Sequence, residues 1–276
     1  MEKTPKKISE ELIAAHLFVC TQVSFAEHVL TVRLNRPDKR HAINKVMANE
    51  LVYCLQLAKE CLDVRVVVVC SEGPVFCAGA DLFDMQTNTL PDNMPLPMLG
   101  GLNDIPLKMR ECNKPVLVAV QGSAMAGALL LICNATHVLA AENAEFSTPE
   151  IKRGLWPFMV MAGLCRLMPP RQALDFMMRA SVLNASKAQQ LGLVTDVVPL
   201  SGLASASQCL ANELAALPPT TLKLGLEAFY HQADLAFEEA IPYLKNKLDQ
   251  TLLSADAEEG IRAFKEKRKP HWPDPS

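Results

Sequence analysis

The 276-residue sequence contains nine cysteines but no CxxC pair and no regular cysteine spacing. That argues against a disulfide framework and for reduced thiols, so a cytoplasmic protein is expected. The six histidines are isolated, and neither HExxH nor a Cys/His cluster is present, so no metal site is expected. GxSxG, Walker and GxGxxG loops are missing too, which removes the usual signals for a nucleophile elbow, a nucleotide cradle or a redox dinucleotide. The formal net charge is -3. It offers no broad basic surface for nucleic acid or an anionic membrane. The best apolar run, Ile13 to Cys20, is too short to span a bilayer. Glu10 and Glu11 precede it and spoil a signal- or transit-peptide pattern.

What is present reads as a folded chain, with 50% hydrophobic and 21% charged residues. Val29 to Leu34 partly alternates and predicts a strand, which Asn35-Arg36-Pro37-Asp38 turns. Asn44 is placed to cap a helix reaching about Leu62. Val64 to Cys70 and Pro115 to Val120 are apolar runs suited to strands buried on both faces. Thr87 to Gly101, rich in Pro, Asn and Gly, reads as a loop, and a helix leads from it to Lys114. An apolar helix is expected from about Ala124 to Asn134, then a strand at Val138 to Ala141. Asn184 caps a helix that Gly192 closes, and Leu193 to Val198 follows as a strand. From Gly202 the pattern is helical to about Lys269. The expected organisation is a leader at 1–24, an α/β core at 25–200 and a helical region at 201–276.

Three stretches can carry chemistry. In Cys77-Ala78-Gly79-Ala80-Asp81, Gly79 permits a tight turn that leaves the Ala80 amide free. Gly122 to Ala128 puts small residues at the start of a buried helix, where amides lack partners and the dipole is positive. Taken alone, the first reads as a glycine turn and the second as a helix packed closely against a strand; converging, they make an oxyanion hole. In Phe146-Ser147-Thr148-Pro149-Glu150-Ile151, Glu150 has apolar neighbours in sequence. It is either a surface glutamate after a proline or a partly desolvated general base. Cys77 reads as a buried small hydrophobe, because no base accompanies it.

Read in order, these stretches resemble the crotonase (enoyl-CoA hydratase/isomerase) family. Asn35-Arg36-Pro37 with His41-Ala42-Ile43-Asn44 is similar to its N-R-P…A-L-N stretch. Phe76 to Leu82 resembles F-C-A-G-x-D-L, and Lys114-Pro115-Val116 through Gly127 resembles K-P-V-I-A-A-V-N-G-x-x-x-G-G-G. Thr148-Pro149-Glu150 with Gly154-Leu155, Ala185 to Val194, and Gly260 to Arg268 complete six matches from about Val29 to Lys269. The resemblance implies an α/β, Clp protease-like spiral of ββα units with a C-terminal helical trimerisation region. It implies an acyl-CoA thioester substrate, with coenzyme A belonging to the substrate and no separate cofactor, and a homotrimer or hexamer. The Ala80 and Gly127 amides would bind the thioester oxygen. Backbone at Arg40, His41, Ala42 and Ala78 to Ala80, with Asp81 and Leu82 next to it, would meet coenzyme A. Phe264 and Lys267 would close over it from a neighbouring subunit, Lys267 as a phosphate partner.

One departure bears on the reaction. Family hydratases carry a second glutamate three residues after the oxyanion-hole glycine, on the same helix face. Here that residue is Leu130. A lone carboxylate facing a leucine suits removal of an α-proton and its return two carbons away more than the clamping of a water. The pattern resembles the family's cis-3 to trans-2 enoyl-CoA isomerases. Trp156 and Phe158, in place of a glycine-rich stretch, line the acyl pocket or pack the core. An enoyl-CoA hydratase with one carboxylate and a non-catalytic acyl-CoA binder are the rivals. Ala126 and Ala128, standing where glycines are common, keep the second rival open, and Glu145 or Asp84 is a possible substitute for the missing acid.

Overall fold

The computed structural model describes residue 13 and residues 17–87 and 94–273. Most of the leader and the centre of the Thr87 to Gly101 loop lie outside the described residues. The strands are β1 (Thr21–Ala26), β2 (Val29–Leu34), β3 (Val66–Cys70), β4 (Val75–Cys77), β5 (Val116–Val120), β6 (Ser123–Met125), β7 (His137–Ala141), β8 (Glu145–Ser147), β9 (Val182–Asn184) and β10 (Asp196–Val198). They form a six-stranded sheet in the order β1-β2-β3-β5-β7-β10 and a four-stranded sheet in the order β4-β6-β8-β9. From β3 to β8 successive strands alternate between the sheets, and a helix follows each pair. This is the wiring of a spiral of ββα units, and its consequence is that β4, β6 and β8 lie side by side and parallel.

The helices are α1 (Lys45–Glu60), α2 (Leu82–Met85), α3 (Ile105–Glu111), α4 (Leu129–Asn134), α5 (Phe158–Leu167), α6 (Pro170–Arg179), α7 (Ala185–Gln190), α8 (Leu203–Ala215), α9 (Pro219–Gln232), α10 (Phe237–Leu252) and α11 (Ala255–Glu266). Local signals decide several ends. The Asn44 side chain accepts from Met47 N at 2.9 Å, and the Asn184 side chain accepts from Lys187 N at 2.8 Å. Four consecutive valines make β3 apolar on both faces. One face meets the main core, which includes Met47, Leu51, Met109 and Leu129. The other meets Leu203, Ala211, Leu214 and Ala215 of α8. Helix α8 therefore belongs to the sheet's packing, and the separate helical region begins at α9.

Two differences from the sequence reading have clear causes. Strand β1 starts at Thr21, inside the expected leader, and pairs with β2 through a tight turn. Glu27 and His28 hold that turn with φ of 48° and 64°, without the Asn or Gly that normally advertises such a hairpin. Glu50, buried in α1, fastens the strand's start, accepting from Val19 N at 2.7 Å and Thr21 Oγ1 at 2.8 Å. The helix expected from Ala124 is instead the short strand β6, a 3-10 turn at Ala126–Ala128, and only then α4. Pairing with β4 and β8 overrides the local apolar pattern.

Helices α4 and α5 approach closely because residue 163 lacks a side chain. A Cβ on Gly163 would lie 2.5 Å from the Cys133 Cβ. Gly163→Ala should force the helices apart and destabilise the protein by about 1–3 kcal/mol. A thermal melt checks this, and an unchanged Tm would show that α5 relaxes without cost.

Candidate active site

The site is assembled at one edge of the small sheet. Cys77 pairs with Ala124, and Ala124 with Phe146, across the parallel strands β4, β6 and β8. Adjacent strands lie about 4.8 Å apart. Three residues beyond Cys77 is Ala80, three beyond Ala124 is Gly127, and four beyond Phe146 is Glu150. All three leave the carboxyl ends of their strands side by side. The two amides and the carboxylate singled out from sequence are thus brought together by strands of three residues each.

Two glycines let the donor segments touch. Gly79 has φ +94°, a conformation costly for any other residue, and a Cβ there would lie 2.7 Å from both the Ala126 Cβ and the Met125 carbonyl oxygen. A Cβ on Gly127 would lie 3.0 Å from the Ala80 nitrogen. Ala80 forms a parallel bridge with Ile43. In it Ile43 N donates to the Gly79 oxygen at 2.8 Å, and Asp81 N donates to the Ile43 oxygen at 2.9 Å. The Ala80 amide points the other way and has no acceptor among the described residues. Gly127 lies in the first turn of a helical segment, where an amide has no intrahelical acceptor. Ala126 occupies the left-handed region at φ 51°. An alanine is strained there by about 1–2 kcal/mol, yet it does not prevent the approach of the two segments.

Glu150 lies in the 3-10 turn Pro149–Arg153 after β8. The turn is hung from the carboxyl end of α6. Thr148, fully buried, donates to the Phe176 oxygen at 3.3 Å, and Lys152 Nζ donates to the Ala180 oxygen at 3.3 Å. The sequence reading passed over both side chains, since nothing in their spacing links them to α6. Glu150 is half-buried, and its Oε2 is buried with no hydrogen-bond partner. Burial raises its pKa, while the Arg153 guanidinium opposes the shift. A desolvated carboxylate with one buried, unpartnered oxygen is suited to accept a proton.

The other predicted residues divide. Leu130 is 2% exposed and packed in the core of α4. Asp84 is spoken for, accepting from Lys45 N at 2.7 Å, and Glu145 sits exposed on β8 paired across from Asn184. Neither stands in for the missing acid. Arg40 and His41 take left-handed conformations, and the Arg40 oxygen accepts from Ala78 N at 2.9 Å, which brings together the two stretches expected from sequence to meet coenzyme A. Ala42 and Ala78 are partly exposed. The His41 ring is buried, its nitrogens hydrogen-bonded to Arg36 N and the Glu72 oxygen. The Asp81 carboxylate faces Arg36 and caps α2, whereas Leu82 is exposed. Trp156 packs partly against the core, and Phe158 is exposed at the start of α5.

Phe264 and Lys267 lie on and just after α11, well exposed and away from the small sheet's other elements in sequence. Their segment is held by Glu259, which accepts from Arg268 Nη1 at 2.6 Å, Arg262 Nη2 at 2.7 Å and His271 N at 2.8 Å. The final Lys-Arg pair therefore has a structural member, Arg268, beside the exposed Lys267. Among the described residues no group of three or more His, Cys, Asp or Glu is arranged to hold a metal ion.

The profile of the enoyl-CoA hydratase/isomerase family matches residues 24–275. A probable mitochondrial enoyl-CoA hydratase of Dictyostelium discoideum is 31% identical over 242 residues, 87% of this chain and 86% of that protein. The 2,3-dehydroadipyl-CoA hydratase of Escherichia coli K12 is 31% identical over 260 residues, 91% and 97% of the two chains. The crystal structure of human enoyl coenzyme A hydratase domain-containing protein 3 superposes with a TM-score of 0.84 at 26% identity, covering 92% of this chain and 100% of that one. With the site's three segments leaving parallel strands as described, the chain belongs to the enoyl-CoA hydratase/isomerase family, and its fold is the crotonase fold.

Proposed function

We propose that the protein isomerises a 3-enoyl-CoA to a trans-2-enoyl-CoA, with Glu150 as the single base. The observation that carries this is an unpartnered buried oxygen on Glu150, together with a buried, apolar Leu130 at the position where family hydratases carry their second acid. Glu150 takes a proton from C2, and the electron pair passes into the thioester carbonyl. The Ala80 and Gly127 amides hold the resulting enolate oxygen. The electrons then return through C2 and C3, the double bond moves from C3–C4 to C2–C3, and Glu150 gives the proton to C4. Atoms and electrons balance, so no cofactor beyond the substrate's own coenzyme A is required. Backbone at Arg40 to Ala42 and Ala78 to Ala80 receives the coenzyme A, and Phe158 borders the acyl chain. The exposed Phe229, Phe237, Leu253 and Phe264 of the C-terminal region support assembly as a homotrimer or a dimer of trimers. A cytoplasmic location goes with this reading of the thiols.

A second reading, hydration by one carboxylate, is favoured by the hydratase names of the relatives above. Incubation with 3-hexenoyl-CoA and with crotonyl-CoA in ¹⁸O-water separates the two. Isomerisation yields trans-2-hexenoyl-CoA with no ¹⁸O and is the expected fast reaction. Rapid ¹⁸O incorporation into a 3-hydroxyacyl-CoA would overturn it in favour of hydration. Leu130→Glu should shift the balance toward hydration.

A further inference from the structure

We infer that Arg36 is a positioning residue that aims the Ala80 amide at the thioester oxygen, with Asp81 as its counter-anchor. The inference rests on Ala80 being an oxyanion donor. Within a trans peptide the C=O and N–H point in opposite directions, so fixing one aims the other. The Gly79 carbonyl is fixed by the Ile43 N–H at 2.8 Å, which turns the Ala80 N–H, on the same peptide, to the opposite side. The Ile43 N–H in turn shares a peptide with the Ala42 carbonyl, and that oxygen accepts from Arg36 Nη1. One guanidinium therefore sets two peptide planes in series.

The same Nη1 reaches Asp81 Oδ2 at 3.1 Å, one residue past Ala80. The two side chains are only 16% and 15% exposed, so the pair is poorly screened. The segment needs such a clamp. Gly79 gives it a flexible hinge at φ +94°, and Arg40 and His41 hold left-handed turns in the opposing segment. Backbone bonds alone tie Ala78 N to the Arg40 oxygen and Asp81 N to the Ile43 oxygen, on either side of the donor. Arg36 crosses between these segments and locks their spacing.

Both contacts run from the single nitrogen Nη1, so a lysine keeps the charge and part of the clamp, but its flexible stem places that nitrogen less firmly than the planar guanidinium does. Asn at 81 caps a helix as well as Asp does, so Asp81→Asn removes the charge while leaving the α2 cap, Asp84 N to Asp81 Oδ1, in place. This isolates the ion pair from the fold around it.

The experiment compares wild type, Arg36→Met, Arg36→Lys, Asp81→Asn and a control, Glu72→Gln, which breaks the outlying Arg33–Glu72 pair. Folding is checked by circular dichroism and melting. Two readouts are taken: kcat and KM with 3-hexenoyl-CoA, and the infrared carbonyl stretch of bound hexanoyl-CoA labelled with ¹³C at the thioester carbon. Wild type and Glu72→Gln should lower the stretch frequency relative to the free thioester. Arg36→Met and Asp81→Asn should lose most of that shift and about ten- to a hundredfold in kcat, with KM within about threefold. Arg36→Lys should fall between. Folded Arg36→Met and Asp81→Asn proteins that keep the full shift and kcat would overturn the inference and leave the oxyanion hole standing. A wild-type complex with no shift would overturn Ala80 as a donor, and the positioning role with it.

Discussion

Glu150→Gln will lower turnover of a 3-enoyl-CoA by about two to four orders of magnitude, the range lost with a positioned general base. Hexanoyl-CoA will still bind, because the contacts assigned to coenzyme A lie on other segments. The amide matches the carboxylate in size but cannot accept the C2 proton at neutral pH. Exchange of the C2 protons of hexanoyl-CoA in deuterated water should vanish with it. Retained exchange would assign the base elsewhere. The pH profile carries a sign as well. Burial raises the Glu150 pKa above its ordinary value, and the base must be ionised to act. Wild-type kcat/KM should therefore rise with pH through a midpoint above the usual glutamate range. The folded state holds this proton more tightly than the unfolded chain does. Ionised Glu150 thus costs stability as pH climbs through that midpoint. At neutral pH the glutamine variant should melt no lower than wild type, which separates lost chemistry from lost folding.

Gly127→Ala should cost about 10²–10³-fold in kcat, the loss seen when one oxyanion-hole donor is removed. The added methyl would stand 3.0 Å from the Ala80 nitrogen, in the space the proposed mechanism gives to the thioester oxygen. It displaces the oxygen from both donors at once. Gly127 does not have a positive φ, so alanine is compatible with its backbone. The Ala80 segment must give by a few tenths of an ångström, so the melting temperature should fall modestly, and rates should be measured with the folded protein. Gly79→Ala makes the instructive contrast. Its φ of +94° and contacts at 2.7 Å would disturb the loop itself, so activity and stability should fall together. If Gly127→Ala turns over normally, the oxygen binds elsewhere and the proposed chemistry fails.

The expected residues were legible to different degrees, for physical reasons. Strand β2 and helix α1 carry enough residues for a period to show, and Asn44 announces its own cap. Strands β4, β6 and β8 have three residues each, too few for any alternation to register. The expected helix from Ala124 shows the consequence. The β1–β2 hairpin stayed hidden because Glu27 and His28 adopt conformations that sequence normally assigns to Asn and Gly. Arg36 stood in a recognised stretch, but its partners are 6 and 45 positions away, and no local rule pairs them.

The amino-acid order alone determined the inventory: one glutamate after Pro149, a leucine at 130, glycines at 79 and 127, and the alternation of apolar strands with helices. These follow from residue chemistry and short-range spacing, which a linear chain carries intact. The tertiary structure decided the arrangement. It set three short strands parallel so that Ala80, Gly127 and Glu150 emerge together. It left Glu150 Oε2 buried without a partner, and it placed Asp84 and Glu145 in other roles. Those outcomes depend on pairing between segments far apart in the chain, where the free energy of packing and hydrogen bonding is settled by the whole fold rather than by any one stretch of sequence.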